Sequence, residues 1–388
     1  MKFQNGYLDR CINCGFCEAV CPTLEAFEFN AFYGARGRVN LAKYYFSNSL
    51  KEGDVSDSFN SCLHCNACLQ VCPAGISAGE ISGWAKMSMV KRDHITHLLM
   101  KNIIEYKDPV NIGNKASEWA KGLTFDEKSE YLLYTGRMFQ LMPYNNAIEK
   151  IRGKIGHNLF ENVGLIASHL PKISILLEPF VNKEDVRRYN RILVNIYKLL
   201  SSSDIHFYYL GEDEPYSGAM LLEFGLEDEF IQYAIHLKEF FLKYNFSKII
   251  TVDPHTYTLL KYQIKDYIDF PFEVFFYLDF VSIKSKGFRN ITIHQACHLE
   301  RYGEKYRKYF SILSGEMINL PKNNNERTYC CGGPDEVEYP EIAARISDKR
   351  FEELKETGAD FIITMCPICL LNLSKDESVL DISEFMMK

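Results

Sequence analysis

The chain has 388 residues, enough for two or three domains at about 150 residues each. Its 47% hydrophobic and 24% charged residues exclude a disordered or collagen-like chain. The net charge of −7 offers no broad basic surface, which excludes nucleic acid as a main partner. The unusual count is cysteine, at 13. An odd number rules out complete intrachain disulfide pairing, and a chain this long has no need of covalent staples. No charged-then-apolar leader precedes Cys11, and no apolar run approaches the ~18 residues of a membrane span. The expectation is a cytoplasmic protein without a transmembrane segment, at most peripheral on the cytoplasmic face of a membrane. Its reduced thiols would serve metal or redox chemistry.

Taken in chain order, the first group is Cys11, Cys14, Cys17 and Cys21, closed by Pro22, and the second is Cys62, Cys65, Cys68 and Cys72, closed by Pro73. Both follow Cys-x2-Cys-x2-Cys-x3-Cys-Pro, the spacing of bacterial-type 4Fe–4S ligation, in which the fourth cysteine ligates the neighbouring cluster. Three thiolates two residues apart wrap three corners of a cube, and the fourth reaches across. The spacing therefore predicts one cubane 4Fe–4S cluster on Cys11, Cys14, Cys17 and Cys72, and a second on Cys62, Cys65, Cys68 and Cys21. Tetrahedral zinc is the competing reading of Cys-x2-Cys, but zinc sites take ligands in two pairs and fit two identical 3+1 sets poorly. His64 reads as a spacer within a complete ligand set. Arg36, Arg38 and Lys43 could offset cluster charge or form a solvated basic face.

Forty residues separate Cys21 from Cys62, too many for a compact ferredoxin of short hairpins. Val39 to Leu50 has helical composition. From Gly83 to Tyr106, Trp84, Met87, Val90, Ile95, Leu98, Leu99 and Ile103 recur at helical spacing, which predicts one helix. This stretch resembles the helical ferredoxin modules of succinate dehydrogenase and heterodisulfide reductase. Beyond it, short β-branched runs at Tyr131–Tyr134, 247–252, 290–294 and 360–365 alternate with helical stretches such as 227–244 and 341–357. Alternation of this kind predicts parallel sheets with right-handed crossovers and functional motifs at the strands' carboxyl ends. An insertion near 150–194 contains Leu165-Ile166-Ala167 and Ile173-Ser174-Ile175-Leu176-Leu177, apolar runs too short to span a bilayer and read as a locally buried helix pair.

The last cysteines are Cys297, the adjacent pair Cys330-Cys331 before Gly332-Gly333, and Cys366-Pro367-Ile368-Cys369. Five thiolates exceed the four that a cubane takes. The arrangement resembles the CCG cysteine-rich domain of the heterodisulfide reductase family, and the resemblance implies a noncubane 4Fe–4S cluster held by Cys297, Cys330, Cys331, Cys366 and Cys369. A helical ferredoxin fused to two such domains is also the layout of the iron–sulfur subunits of glycolate oxidase, anaerobic glycerol-3-phosphate dehydrogenase and related lactate dehydrogenases. A second copy is visible upstream. Ile249 to Thr256 aligns with Ile362 to Cys369, Pro215 to Gly218 aligns with Tyr329 to Gly332, and Tyr134-Thr135-Gly136-Arg137 takes the place of the stretch ending at Cys297. Its ligand positions hold Arg137, Tyr216, Ser217, Asp253 and Thr256, so no noncubane cluster is expected there. Asp253, His255 and Thr256 could hold another metal, although an emptied scaffold is the simpler reading. The expected layout is a helical ferredoxin domain over 1–125, a degenerate α/β (Rossmann-like) CCG domain over 126–285 and an intact one over 286–388.

The sequence has no Gly-x-Gly-x-x-Gly and no P-loop, and so shows no flavin or nucleotide site of its own. Three clusters make an electron relay. The resemblance implies a partner FAD-containing dehydrogenase acting on glycolate, lactate or glycerol 3-phosphate, and an acceptor such as a quinone or a membrane-anchored protein. The alternative is a heterodisulfide reductase-like enzyme that reduces a disulfide or other sulfur substrate at the noncubane cluster, with His294 and His298 as candidate proton donors or as supports for Cys297. The emptied copy argues against this alternative, because the resemblance implies two noncubane clusters acting together on one disulfide.

Overall fold

The computed structural model describes residues 6–89, 94–156, 173–282, 284–285, 287–302, 306–333 and 338–388. Residues 6–88 are helical and loop-rich. Three helices, Ala35–Phe46, Glu52–Asn60 and Ala78–Ser88, pack through Val39, Ala42, Val55, Phe59, Ile81 and Ala85. In the first helix Ala35, Val39 and Ala42 repeat every three to four residues and bury one face. The helix Ala78–Ser88 starts where Ser77 Oγ accepts the backbone N–H of Glu80, a side-chain cap.

The single helix expected over Gly83–Tyr106 is two, Ala78–Ser88 and His94–Tyr106. The first ends at Met89, whose backbone is extended. Val90 lies outside the described residues. At the break another segment crosses the helix. Gly225 lies so close to Lys86 and Met87 that a Cβ there would come within 2.9 Å of their backbone, and Lys86 Nζ donates to Glu223 O at 3.4 Å. Apolar periodicity records which residues are buried, not whether the helix axis continues past such a crossing.

Eight strands follow in two four-stranded sheets. The first holds β1 (Tyr131–Tyr134), β2 (Tyr208–Tyr209), β3 (Lys248–Thr251) and β4 (Glu273–Phe276), in the order β2-β1-β3-β4. The second holds β5 (Asn290–Ile293), β6 (Met317–Ile318), β7 (Phe361–Thr364) and β8 (Val379–Asp381), in the order β6-β5-β7-β8. Every pairing is parallel, so each sheet needs helical crossovers covering its faces. The central strands β1, β3, β5 and β7 are apolar and buried after their first residue.

The helices Met138–Ile155, Lys183–Ser201, Glu227–Phe241 and Pro340–Lys355 supply those covers. Lys183–Ser201 begins under an Asn182 cap and buries Tyr189, Ile192, Leu193, Ile196, Leu199 and Leu200 along one stripe. It also joins the two sheets, since Arg188 pairs with Glu384 at 2.8 Å. Within the insertion, Ile173–Leu177 forms a short helix with Ile173 and Leu177 buried and Ile175 and Leu176 exposed; Leu165 to Ala167 lie outside the described residues. Among the described residues, no helix is long and apolar enough to cross a membrane.

Candidate metal centres

None of the 13 cysteines is in a disulfide, and the fold gathers them around three cavities. Cys11, Cys14 and Cys17 line the first, together with Cys72 from the second motif. Cys62, Cys65 and Cys68 line the second, together with Cys21 from the first motif. Cys68 also borders the first cavity, so the two are neighbours. The two loops curl alike. Asn13 and His64 occupy the same place in their motifs and both have positive φ (55° and 48°), as do Gly15 and Asn66 (83° and 54°). Each left-handed residue reverses the chain and turns the flanking thiols to one side. Pro22 then starts the helix Pro22–Ala26 at its first turn, where its missing N–H is harmless.

Arg38 closes the second cavity from behind and is 1% exposed. Its guanidinium donates to Ser58 O at 2.6 Å, Thr23 Oγ1 at 2.8 Å and Ser61 Oγ at 3.0 Å, and reaches Cys21 Sγ at 3.9 Å. This fixes a positive charge beside the Cys21 sulfur. Arg36 borders the first cavity and pairs with Glu18 at 2.8 Å. Lys43 lies in the last turn of its helix and lines neither cavity.

The third cavity is lined by Cys297, Cys331, Cys366 and Cys369. Cys297 begins the helix Cys297–Arg301 after β5, and Cys366 stands at the N-cap of Pro367–Leu373 after β7, so both follow the carboxyl ends of central strands. Gly332 (φ +99°) lets the Cys330-Cys331 pair lie against the helix Pro340–Lys355, since a Cβ there would come within 2.4 Å of Ala343 O. Cys330 is buried behind the cavity wall, where its sulfur accepts from Gly332 N at 3.5 Å and packs with Leu63 and Cys65 of the second motif. The neighbouring Cys330, Cys369 and His294 side chains push the Cys331 thiol well below its usual range, against the opposing effect of burial.

The two candidate histidines separate. His294 lies beside Cys331, and its Nδ1 accepts from the buried Arg350 at 3.0 Å. Its other nitrogen must therefore carry the proton offered to the thiolate, so it orients sulfur and does not line the cavity. His298 does line the cavity, stacked on Tyr302 (centroids 4.9 Å apart) and 2.7 Å from Thr258 Oγ1. Residues outside the cysteine ligand set complete the wall. His64 belongs to it, beyond its place as a spacer. His255 packs edge-on against His298 at 4.2 Å, with its Nε2 held by Glu223 at 2.6 Å. Burial opposes charge on His255, but the Glu223 carboxylate prevails and pushes its pKa up to about 9.

The five replaced positions carry structural contacts. Arg137 forms a buried ion pair with Asp108 at 2.5 Å and donates to Glu214 O and Glu212 O. Asp253 caps the helix Pro254–Lys261 through the N–H groups of His255 and Thr256, both at 2.9 Å. Tyr216 Oη accepts from Met220 N at 3.2 Å, and Ser217 and Thr256 are buried. Asp253 Oδ1 and His255 Nε2 thus already have partners, and the group of His, Cys, Asp or Glu atoms close enough to share one ion among the described residues is His294, Cys331 and Cys369. Asp108→Ala leaves the Arg137 guanidinium buried without its counter-charge. Chemical denaturation should show a loss of about 3–5 kcal/mol, with iron content unchanged.

Thiol-lined cavities with a nearby buried cation suit a soft, anionic iron–sulfur group, and comparison with known proteins agrees. Residues 7–76 match the 4Fe-4S dicluster domain and residues 291–374 the Cysteine-rich domain, CCG. The chain is therefore an iron–sulfur protein combining a dicluster ferredoxin domain with a heterodisulfide reductase-like cysteine-rich domain. It is 23% identical to a "Probable membrane-anchored ferredoxin" of Chromohalobacter salexigens over 93% of this chain and 55% of that one. It is 26% identical to an "EtfAB:quinone oxidoreductase" of Syntrophomonas wolfei over 52% of this chain and 32% of that one. It is 23% identical to a subunit of the dihydromethanophenazine:CoB--CoM heterodisulfide reductase of Methanosarcina barkeri over 96% of this chain and 90% of that one. The chain thus spans about half and a third of the first two relatives. These relationships make it an iron–sulfur protein similar to ferredoxin-type proteins and to oxidoreductase subunits.

Proposed function

We propose that the chain is the iron–sulfur subunit of a dehydrogenase complex. It takes electrons from a FAD-containing partner of the glycolate, lactate or glycerol-3-phosphate type and passes them to a quinone. In this reading Cys11, Cys14, Cys17 and Cys72 hold one cubane cluster, and Cys62, Cys65, Cys68 and Cys21 hold a second. Cys297, Cys330, Cys331, Cys366 and Cys369 hold a noncubane third. Residues 1–125, 126–285 and 286–388 form a helical ferredoxin domain, a degenerate CCG domain and an intact one. The matching strand orders of the two sheets and the equivalent placement of Pro254 and Pro367, and of Gly218 and Gly332, support that division.

The observation that supports the relay is the packing of Leu63 and Cys65 of the second motif with Cys330 of the third set in one buried cluster. Iron–sulfur groups pass single electrons between neighbouring centres when bound, and here the second and third thiol sets meet through protein sulfur. The chain holds this junction rigidly. Arg301 donates to Cys65 O at 2.6 Å and to Glu326 O at 3.1 Å, Tyr302 donates to His64 O, and Arg345 donates to Ala26 O at 3.0 Å.

Purification of the chain with its native partners tests the reading. A co-purifying flavoprotein whose substrate bleaches the iron–sulfur absorbance of this chain is the expected result. Bleaching by a disulfide-linked donor alone, with no flavoprotein present, would overturn it.

A further inference from the structure

The third cavity is larger than its cysteines require. Its volume is about 120 Å³, against about 30 Å³ and 20 Å³ in the cavities of the two motifs. If each thiol set surrounds one cluster, only the third leaves space for a small molecule beside it. The additional wall comes from the first sheet's side of the molecule, where Leu222 and Leu259 supply apolar surface and Glu223, His255 and Gln263 supply polar groups. Nδ1 of His255 and Nε2 of His64 are buried and have no hydrogen-bond partner among the described residues. A buried polar atom left this way is costly unless it serves a ligand.

We propose that the Glu223–His255 pair binds and protonates an oxygen-bearing two-electron acceptor, a quinone head group, in the cavity it shares with Cys297, Cys331, Cys366 and Cys369. This rests on the electron-relay reading and assigns its acceptor a place. Imidazole N–H groups are strong donors and suit a carbonyl oxygen, whereas a disulfide sulfur accepts hydrogen bonds weakly. The balance closes. A quinone takes two electrons, passed singly from the partner's reduced flavin, and two protons, and becomes a quinol without losing any atom. His255 gives a proton to the nearer reduced oxygen and draws its replacement through Glu223, whose side chain keeps 19% of its surface exposed; the oxygen at the far end of the ring takes its proton from water. In this way the half of the molecule without cluster ligands supplies the proton path for the half that has them.

The test uses the full chain, reconstituted with iron and sulfide, reduced by dithionite and freed of excess reductant, with menadione as the probe. The wild-type protein should reduce menadione. His255→Ala should slow that step about 100-fold with its iron retained, and added imidazole should restore part of the rate. Equilibrium dialysis should show menadione binding weakened about tenfold in His255→Ala, and Glu223→Gln should lower the rate more than the affinity. A His255→Ala rate within about threefold of wild type would overturn the proposal, as would a lost rate that imidazole does not restore. Reduction of glutathione disulfide in place of menadione would also overturn it, and would assign the cavity to a sulfur substrate. Ferricyanide separates the two levels of inference. If it reoxidises the wild-type centres and menadione does not, only the quinone site falls; if neither reoxidises them, the relay falls as well.

Discussion

Cys72→Ser should remove the cluster of the first motif, although Cys72 belongs to the second. Cys72 lines the cavity of Cys11, Cys14 and Cys17, and Cys21 lines that of Cys62, Cys65 and Cys68. Iron should fall from about twelve to about eight per chain. The electron paramagnetic resonance signal that disappears should be the one lost in Cys14→Ser. Cys21→Ser should instead match Cys65→Ser. The effect is large because a cluster with three thiolates and one open corner is exposed to solvent and oxygen, and Cys14 is already exposed in the folded chain. If Cys72→Ser and Cys65→Ser lose the same signal, each motif holds its own cluster and the exchange of fourth ligands is wrong.

Cys331→Ser should abolish the third centre and leave the other two spectra intact. Cys331 is the sulfur on which Cys330, Cys369 and His294 converge, and Arg350 holds His294 in place from behind. A hydroxyl at this position cannot supply a thiolate ligand, so about four irons per chain should be lost. Circular dichroism should remain close to that of the wild type, since the pair sits in a wall shaped by Gly332 and the helix behind it. Retention of all iron with an unchanged spectrum would show that the last five cysteines hold nothing through Cys331.

The cysteine groups were legible because ligand spacing is a local pattern, and a local pattern is what a sequence displays. The central strands were legible for the same reason: Ile249-Ile250 and Ile362-Ile363 are β-branched, apolar and short. The likeness of Pro215–Gly218 to Tyr329–Gly332 could be read residue by residue, and Gly218 and Gly332 share left-handed φ values. Edge strands β2 and β6, two residues each, are too brief to leave a periodic trace. The break at Met89 is set by a crossing segment 136 residues downstream at Gly225, which no window around the helix contains. Arg350 and Glu223 carry no motif at all, and the sequence shows Arg38 and His255 without their partners. Each is placed near the cysteines by the tertiary fold, as a single polar residue, and such a residue resembles many ordinary ones until its partners are known. His64 had a signal that was available: a histidine in the left-handed position of a cysteine loop has its side chain fixed by that backbone.

The central claim is that all thirteen cysteines serve three iron–sulfur centres. Quantitative iron analysis of the anaerobically purified or reconstituted full chain tests it most directly. About twelve irons per chain, with zinc absent, is the expected result; a value near eight would leave the last five cysteines without a cluster, and stoichiometric zinc in place of iron would contradict the claim as a whole.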